Sequence, residues 1–148
     1  MHPFFEKLSG DNGTYITIPA DYVMEATPDH LPTGKVMKVD NTHFDIRKPK
    51  AVGELDIDHN YIGMKSGIPS TIDYKNKSFY LSLDASGDFT HLVLFTPQGE
   101  GFFCVENQTC SNDAHNLYSK GYQKESGLII VHPGDNHKGH VMYSVYFK

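Results

Sequence analysis

The chain has 148 residues, about the size of one ordinary domain, and is long enough to bury a sizeable core. It has 18 acidic and 13 basic residues, a formal net charge of −5 and no basic run, which argues against nucleic acid or anionic membrane as a partner. No window is long and apolar enough to span a bilayer, and no signal peptide is recognised. Cys104 and Cys110 lack zinc-type spacing, so we expect reduced thiols in a cytoplasmic protein.

Short strands separated by turn residues are predicted along most of the chain. The candidate strands lie at residues 15–19, 35–39, 71–74, 78–83, 91–96, 101–111, 127–132 and 140–147. The pair at 71–74 and 78–83 reads as a hairpin. Helix is predicted only from Asn112 to Tyr118, with Ser111 as a possible N-cap. The pattern indicates a single all-β domain over residues 1–148, built as an antiparallel sandwich or barrel.

The stretch from Asp40 to Met64 differs from the rest. Its polar content is dense and its strand signal is poor. We therefore expect a long ordered loop there, of the kind that often carries function on a β scaffold.

The strand predicted from Gly101 to Ser111 carries one ionisable side chain of interest. Its alternation places Phe102, Cys104 and Glu106 on one side, and both sides are otherwise apolar, so both faces should be covered. A carboxylate in such surroundings is costly to bury unless it is hydrogen-bonded, and it can serve as a general base. The ordinary alternative is a glutamate at a strand end that reaches solvent.

Three further features have ordinary interpretations when each is taken alone. His2 lies at the extreme N-terminus, where disorder is common. The Asp58-His59 pair lies in a polar stretch and is typical of a solvated turn. His137 and His140 are three apart, so on a strand they would point to opposite faces and make a poor pair of metal ligands.

Taken together, these segments resemble one family, the aldose 1-epimerases, also called galactose mutarotases. The resemblance runs in order from residue 2 to the C-terminus. Its segments are His2-Pro-Phe-Phe5, Ile18-Pro-Ala-Asp-Tyr22, Leu31-Pro-Thr-Gly34, Phe44-Asp-Ile-Arg-Lys-Pro49, Asp58-His-Asn-Tyr61, Phe103-Cys-Val-Glu-Asn-Gln-Thr-Cys110 and Gly127-Leu-Ile-Ile-Val-His-Pro-Gly134.

The resemblance implies a role for each matching residue. Glu106 would take the proton from the anomeric hydroxyl of a free hexose, and His2 would protonate the ring oxygen so that the ring opens. Asp58 would hold a sugar hydroxyl, with His59 beside it, and Phe102 is a candidate to stack on a sugar face. The resemblance implies neither a metal nor an organic cofactor.

The resemblance covers only the C-terminal half of the family's length. It implies a galactose mutarotase-like antiparallel β-sandwich, half of the family's supersandwich, whose open edges predict a homodimer or pairing with a missing N-terminal half. Two other functions remain open. One is a non-catalytic carbohydrate-binding module. The other is a small cupin-like metal protein, suggested by residues 133–137 but lacking the paired histidines that cupins carry upstream.

Overall fold

Two antiparallel sheets contain all eleven strands of the computed structural model, which describes residues 1–148. The six-stranded sheet has the order β1-β10-β9-β6-β3-β4 and the five-stranded sheet the order β11-β8-β7-β2-β5. The strands are β1 (Phe4–Glu6), β2 (Thr14–Thr17), β3 (Tyr22–Ala26), β4 (Pro32–Lys38), β5 (Lys50–Ala51), β6 (Asp58–Ile62), β7 (Ser70–Tyr74), β8 (Phe79–Ala85), β9 (His91–Phe95), β10 (Phe102–Gln108) and β11 (Val141–Phe147). The expected all-β sandwich is thus confirmed.

The core lies between the two sheets and fixes which way each strand faces. The six-stranded sheet contributes residues from four of its strands, namely Val23, Tyr61, Leu92, Leu94, Phe103 and Val105. The five-stranded sheet contributes Ile16, Ile72, Tyr74 and Leu83. Because side chains alternate along a strand, the intervening residues of the six-stranded sheet lie on its outer face.

The register of the six-stranded sheet groups polar residues on that outer face. Asn60 and Glu106 both pair with Val93, and Asp58 and Cys104 both pair with Phe95. The four side chains therefore form two adjacent rows across three strands. These side chains are held on rigid elements, because the strands that carry them are backed by the packed core.

Most strands occur where the sequence predicts them, including the hairpin of β7 and β8. The strand predicted at residues 127–132 is wrong, because this segment has no regular structure. A strand needs a ladder partner, and β11 already occupies the edge of β8, where it pairs along its whole length. Gly127 also has a positive φ of 62°, which interrupts an extended backbone.

The expectation of a long loop from Asp40 to Met64 is wrong for its second half. That half contains β5, a 3₁₀ turn at Val52–Glu54 and β6, which lies inside the six-stranded sheet. The first half is an ordered loop tied together by Arg47, whose guanidinium donates hydrogen bonds to Asp21, Asp40 and Asp45. The bond from Arg47 holds the pKa of Asp45 below its usual range.

The predicted helix forms as α1 (Ala114–Ser119), but it does not begin at a Ser111 cap. Asp113 occupies the N-cap position in the left-handed region, and the backbone N–H of the buried Ser111 instead donates to the carbonyl of Ser126. That bond ties Ser111 to a second short helix, α2 (Gln123–Ser126), which the sequence did not predict. Neither helix has the length or hydropathy needed to cross a membrane.

His91 on β9 is buried beneath α2, and we expect it to make the fold sensitive to acid. Its Nε2 lies 3.0 Å from the Glu125 carbonyl, which can only accept, so Nε2 carries a proton and Nδ1 can accept from the Thr90 hydroxyl at 2.9 Å. Burial lowers the pKa of His91 below its ordinary value of 6.5, although the Glu125 carbonyl acts in the opposite direction. Below about pH 6.5 the unfolded chain therefore binds a proton that native His91 does not, and stability falls as pH falls.

Urea unfolding of the wild type at about pH 7.5 and about pH 5.5 should show this loss, at most about 1.4 kcal/mol per pH unit from this one group. His91→Gln, which keeps a donor for the Glu125 carbonyl, should lose less stability over the same range. His115→Gln, at an exposed helical position, should behave like the wild type. Equal pH slopes for wild type and His91→Gln would contradict the assignment.

Candidate functional site

The pairing of β1 with β10 brings His2 to Glu106. Phe4 pairs with Cys104, so the same register, continued by two residues, places His2 opposite Glu106. The His2 Nε2 atom lies 3.8 Å from Glu106 Oε2, an ion-pair distance when the imidazole is protonated. The Glu106 side chain is 12% exposed and that of His2 is 54% exposed. A shielded carboxylate thus lies beside an accessible imidazole.

A chain of amides holds the other oxygen of the carboxylate. Gln108 Nε2 donates to Glu106 Oε1 at 3.3 Å, and Asn60 Nδ2 donates to Gln108 Oε1 at 3.2 Å. Asn60 is buried and its own Oδ1 has no hydrogen-bond partner. The amides therefore orient Glu106 so that Oε2 is the oxygen nearest His2.

Cys104 completes the cluster from the same strand face. Its thiol and the ligand-type atoms of His2 and Glu106 all lie within 4.8 Å of one another. Burial raises the pKa of the Cys104 thiol to about 12, and the Glu106 and Asp58 carboxylates act in the same direction. The thiol is therefore neutral near pH 7.

Asp58 lies on the same face, one row along from Glu106. By strand spacing it is about 10 Å from Cys104, two strands away. Its Oδ2 is 3.4 Å from Nδ1 of His30, in the turn between β3 and β4. His30, Asp58, Asn60 and Asn112 line one small cleft, and Asn112 also lines a larger cleft of about 270 Å³ that contains Glu106.

His59 borders the same small cleft as His30 and Asp58. It alternates with Asp58 and Asn60 along β6, and its ring packs 4.6 Å from the ring of the buried Phe44. Burial lowers the pKa of His59, so its imidazole favours the neutral form. The residue thus borders the cleft while its ring packs on Phe44.

Phe102 lies on the outer face but about 13 Å along β10 from Glu106. Its ring makes an edge contact with Phe4, centroid to centroid 5.2 Å, and Phe4 stacks on His2 at 4.7 Å. Phe102 thus reaches the acid–base pair only through Phe4. Phe4 itself is 56% exposed and adjoins the pair.

Sequence reasoning missed His30, Asn60, Gln108 and the place of Cys104 in the cluster. Gln108 lies two residues after Glu106 and Asn60 two after Asp58, so strand alternation would have put each on the site face once the strands were known. His30 carried no such signal, because it lies in a turn with a positive φ of 59°.

The two histidines near the C-terminus do not form a metal cluster. His137 and His140 lie outside regular structure, and Nε2 of His137 is 3.7 Å from Asp88. One group of three potential metal ligands occurs in the structure, and it is the cluster of His2, Cys104 and Glu106. The cupin alternative thus gains no donor set from the region that suggested it.

Comparison with known proteins gives one consistent result. A family model described as aldose 1-epimerase matches residues 1–144. Among solved structures, similar folds include a candidate aldose 1-epimerase from Escherichia coli K12 (TM-score 0.79, 18% identity) and a GalM/aldose epimerase homologue from C. elegans (TM-score 0.74, 17% identity). A galactose mutarotase-like protein from Clostridium acetobutylicum has a TM-score of 0.77 at 16% identity. No curated protein matches.

These likenesses cover 99% of this chain but only 49%, 50% and 46% of the three solved chains, in the same order. The chain thus spans about half the length of the structures it matches. At 16–18% identity the likeness to these structures shows the fold, while the family match rests on the sequence model.

Proposed function

Because this chain belongs to the aldose 1-epimerase family, we propose that it interconverts the α and β anomers of a free hexose. The observation that carries the proposal is the pairing of Glu106 with His2 at 3.8 Å on the outer face of the six-stranded sheet. A base and an acid so close together can reach two oxygens bonded to one carbon, as the anomeric hydroxyl and the ring oxygen are.

In the proposed reaction the two residues exchange protons with the sugar. Ionised Glu106 removes the proton of the anomeric hydroxyl while protonated His2 gives its proton to the ring oxygen. The bond between the anomeric carbon and the ring oxygen breaks, leaving an open-chain aldehyde. After rotation about the adjoining carbon–carbon bond, the two transfers reverse and the other anomer closes. No net proton, electron or group is consumed, so the chemistry needs no cofactor.

The surrounding side chains supply a hexose site in this proposal. Asp58, paired with His30, accepts a hydrogen bond from a sugar hydroxyl. Phe4 and Phe102 form an aromatic wall next to His2, suited to the apolar face of a pyranose. We propose that residues 1–148 act as one domain, in the cytoplasm.

A non-catalytic carbohydrate-binding module is the second candidate, favoured by one observation. The chain is about half as long as the structures it matches. Such a module would bind the sugar through Asp58 and the aromatic wall without opening its ring.

Proton NMR exchange between anomers at equilibrium separates the two functions. Glucose, galactose and mannose, each with its methyl glycoside as a control that cannot open, would be examined with and without protein. The proposal predicts faster anomer exchange for at least one free hexose and none for any methyl glycoside. Sugar binding with exchange at the buffer rate would reject catalysis and leave the binding module.

Gln108 is a positioning residue in this proposal, since it donates a hydrogen bond to Glu106 and takes no part in the proton transfers. Hydrogen bonds to charged groups are worth about 1.5–3 kcal/mol, and about 1.4 kcal/mol is tenfold in rate. Gln108→Leu should therefore lower kcat by about 10–100-fold with a smaller effect on KM. Gln123→Leu, at an exposed helical position, is the control. An unchanged kcat in Gln108→Leu would mean that the amide chain does not orient the base.

A further inference from the structure

We propose that the cluster of His2, Cys104 and Glu106 is a binding site for a thiophilic divalent cation, with Zn²⁺ as the best match. One imidazole nitrogen from the segment before β1, and one sulfur and one carboxylate oxygen from β10, converge with all ligand atoms within 4.8 Å of one another. Zinc commonly takes such mixed N, S and O donors, and three protein ligands leave a fourth position open.

The separations are close to those that a metal requires. Zinc bonds of about 2.0–2.3 Å in a tetrahedron place neighbouring donors about 3.3–3.7 Å apart. His2 Nε2 and Glu106 Oε2 are already 3.8 Å apart, so a contraction of about 1 Å at the widest pair suffices. His2 can supply that movement, because it precedes the first residue of β1 and its side chain is half-exposed.

The three ligands also have the support that a metal site needs. Cys104 and Glu106 are buried on a strand inside the sheet, so their positions are fixed by two neighbouring strands. Gln108 holds the carboxylate oxygen that does not face His2, as outer hydrogen bonds commonly do for metal ligands. The proton of the Cys104 thiol leaves to the buffer on binding.

This site would oppose the proposed reaction. A metal held by His2 and Glu106 occupies both the acid and the base, so bound Zn²⁺ should inhibit anomer interconversion. That consequence rests on the proposed function, whereas metal binding itself does not. Cys104 takes no part in the proposed proton transfers, so it offers a way to separate the two.

Binding is tested on untagged, metal-stripped protein by calorimetric titration with Zn²⁺ and by the absorption spectrum of added Co²⁺. We expect one Zn²⁺ per chain and a cobalt–thiolate charge-transfer band. Cys104→Ser should abolish the band and weaken Zn²⁺ binding at least tenfold. His2→Gln, at an exposed position, should weaken it likewise, and Cys110→Ser should match the wild type in both measurements.

Outcomes that overturn the site do not depend on activity. No binding by the wild type, or equal binding by wild type and folded Cys104→Ser and His2→Gln, would exclude a metal at this cluster. If the band appears as expected but no anomer exchange is found in metal-free protein, the metal site stands and the proposed function fails. If metal-free protein is active, Zn²⁺ should inhibit the wild type but inhibit Cys104→Ser at least tenfold more weakly.

Discussion

Replacing His2 by glutamine should slow anomer interconversion by about 10²–10⁴-fold, the usual contribution of a positioned general acid or base. The ring oxygen is a poor leaving group until it is protonated, and glutamine can donate a hydrogen bond without giving up a proton. Because the His2 side chain is 54% exposed, the fold should be unaffected. The loss should therefore appear in kcat rather than in the free energy of unfolding.

His115→Gln and His30→Gln are the comparisons for that experiment. His115 is exposed on α1 and should leave the rate unchanged. His30 contacts Asp58 and should raise KM more than it lowers kcat. If His30→Gln rather than His2→Gln abolished turnover, the acid would be His30 and the assignment of His2 would be wrong.

The second large effect concerns assembly, and we expect a homodimer at micromolar concentration. Strands β1 and β11 are the edges of their sheets and lie at the same end of the sandwich, with the Phe5 and Tyr143 rings 6.2 Å apart. Near this end, Val145 is 54% and Phe147 79% exposed. An open edge strand with exposed apolar side chains favours pairing with another chain, most simply with its own copy about a two-fold axis.

Light scattering on a size-exclusion column, over a dilution series, measures the assembly. The double variant Val145→Lys/Phe147→Lys should be monomeric, because two apolar contacts per copy are lost and like charges meet across the axis. At about 1.5–3 kcal/mol per buried side chain, the Kd should weaken by at least about 100-fold. Ile68→Lys, at an apolar residue that is 49% exposed in the β6–β7 turn, should remain dimeric.

A wild-type chain that stays monomeric and folded across the dilution series would contradict the homodimer. The chain would then close its own strand edges, and the prediction of a missing half would be wrong as well.

Strands with a regular pattern were predictable from the sequence, and so was the position of Glu106. The hairpin of β7 and β8 and the strand β10 have alternating or continuous apolar residues bounded by turns. On β10 the alternation correctly separated Phe103 and Val105, which enter the core, from Cys104 and Glu106 on the outer face. The local pattern of apolar residues is enough to predict a strand when one face of that strand packs into the core.

The strand pattern failed where polar site residues interrupt the apolar alternation. The sequence predicts a loop at β6 because Asp58 and Asn60, which lie on the outer face, are polar. Tyr61 of the same strand is nevertheless fully buried between the sheets. β1 is only three residues long and becomes a strand through its pairing with β10. Conversely, residues 128–131 are apolar enough for a strand but have no ladder partner in this chain.

The pairing of His2 with Glu106 could not be derived from spacing, since the two positions are far apart in the sequence. From the sequence, only the family resemblance predicted that the two residues share one site. The register Phe4 to Cys104 then supplies the physical reason, because it continues the ladder to His2 and Glu106. The supporting groups Gln108 and His30 depend on tertiary contacts that no local pattern contains.

Polarimetry of freshly dissolved α-galactose or α-glucose, with the wild type and Glu106→Gln side by side, tests the central claim most directly. Glutamine keeps the shape of the side chain but cannot accept the hydroxyl proton, and Glu100→Gln, in the exposed turn between β9 and β10, is the matched control. The account predicts rapid approach to anomeric equilibrium with the wild type and Glu100→Gln, and a rate about 10²–10⁴-fold lower with Glu106→Gln. Equal rates for wild type and Glu106→Gln, both at the buffer background, would contradict it.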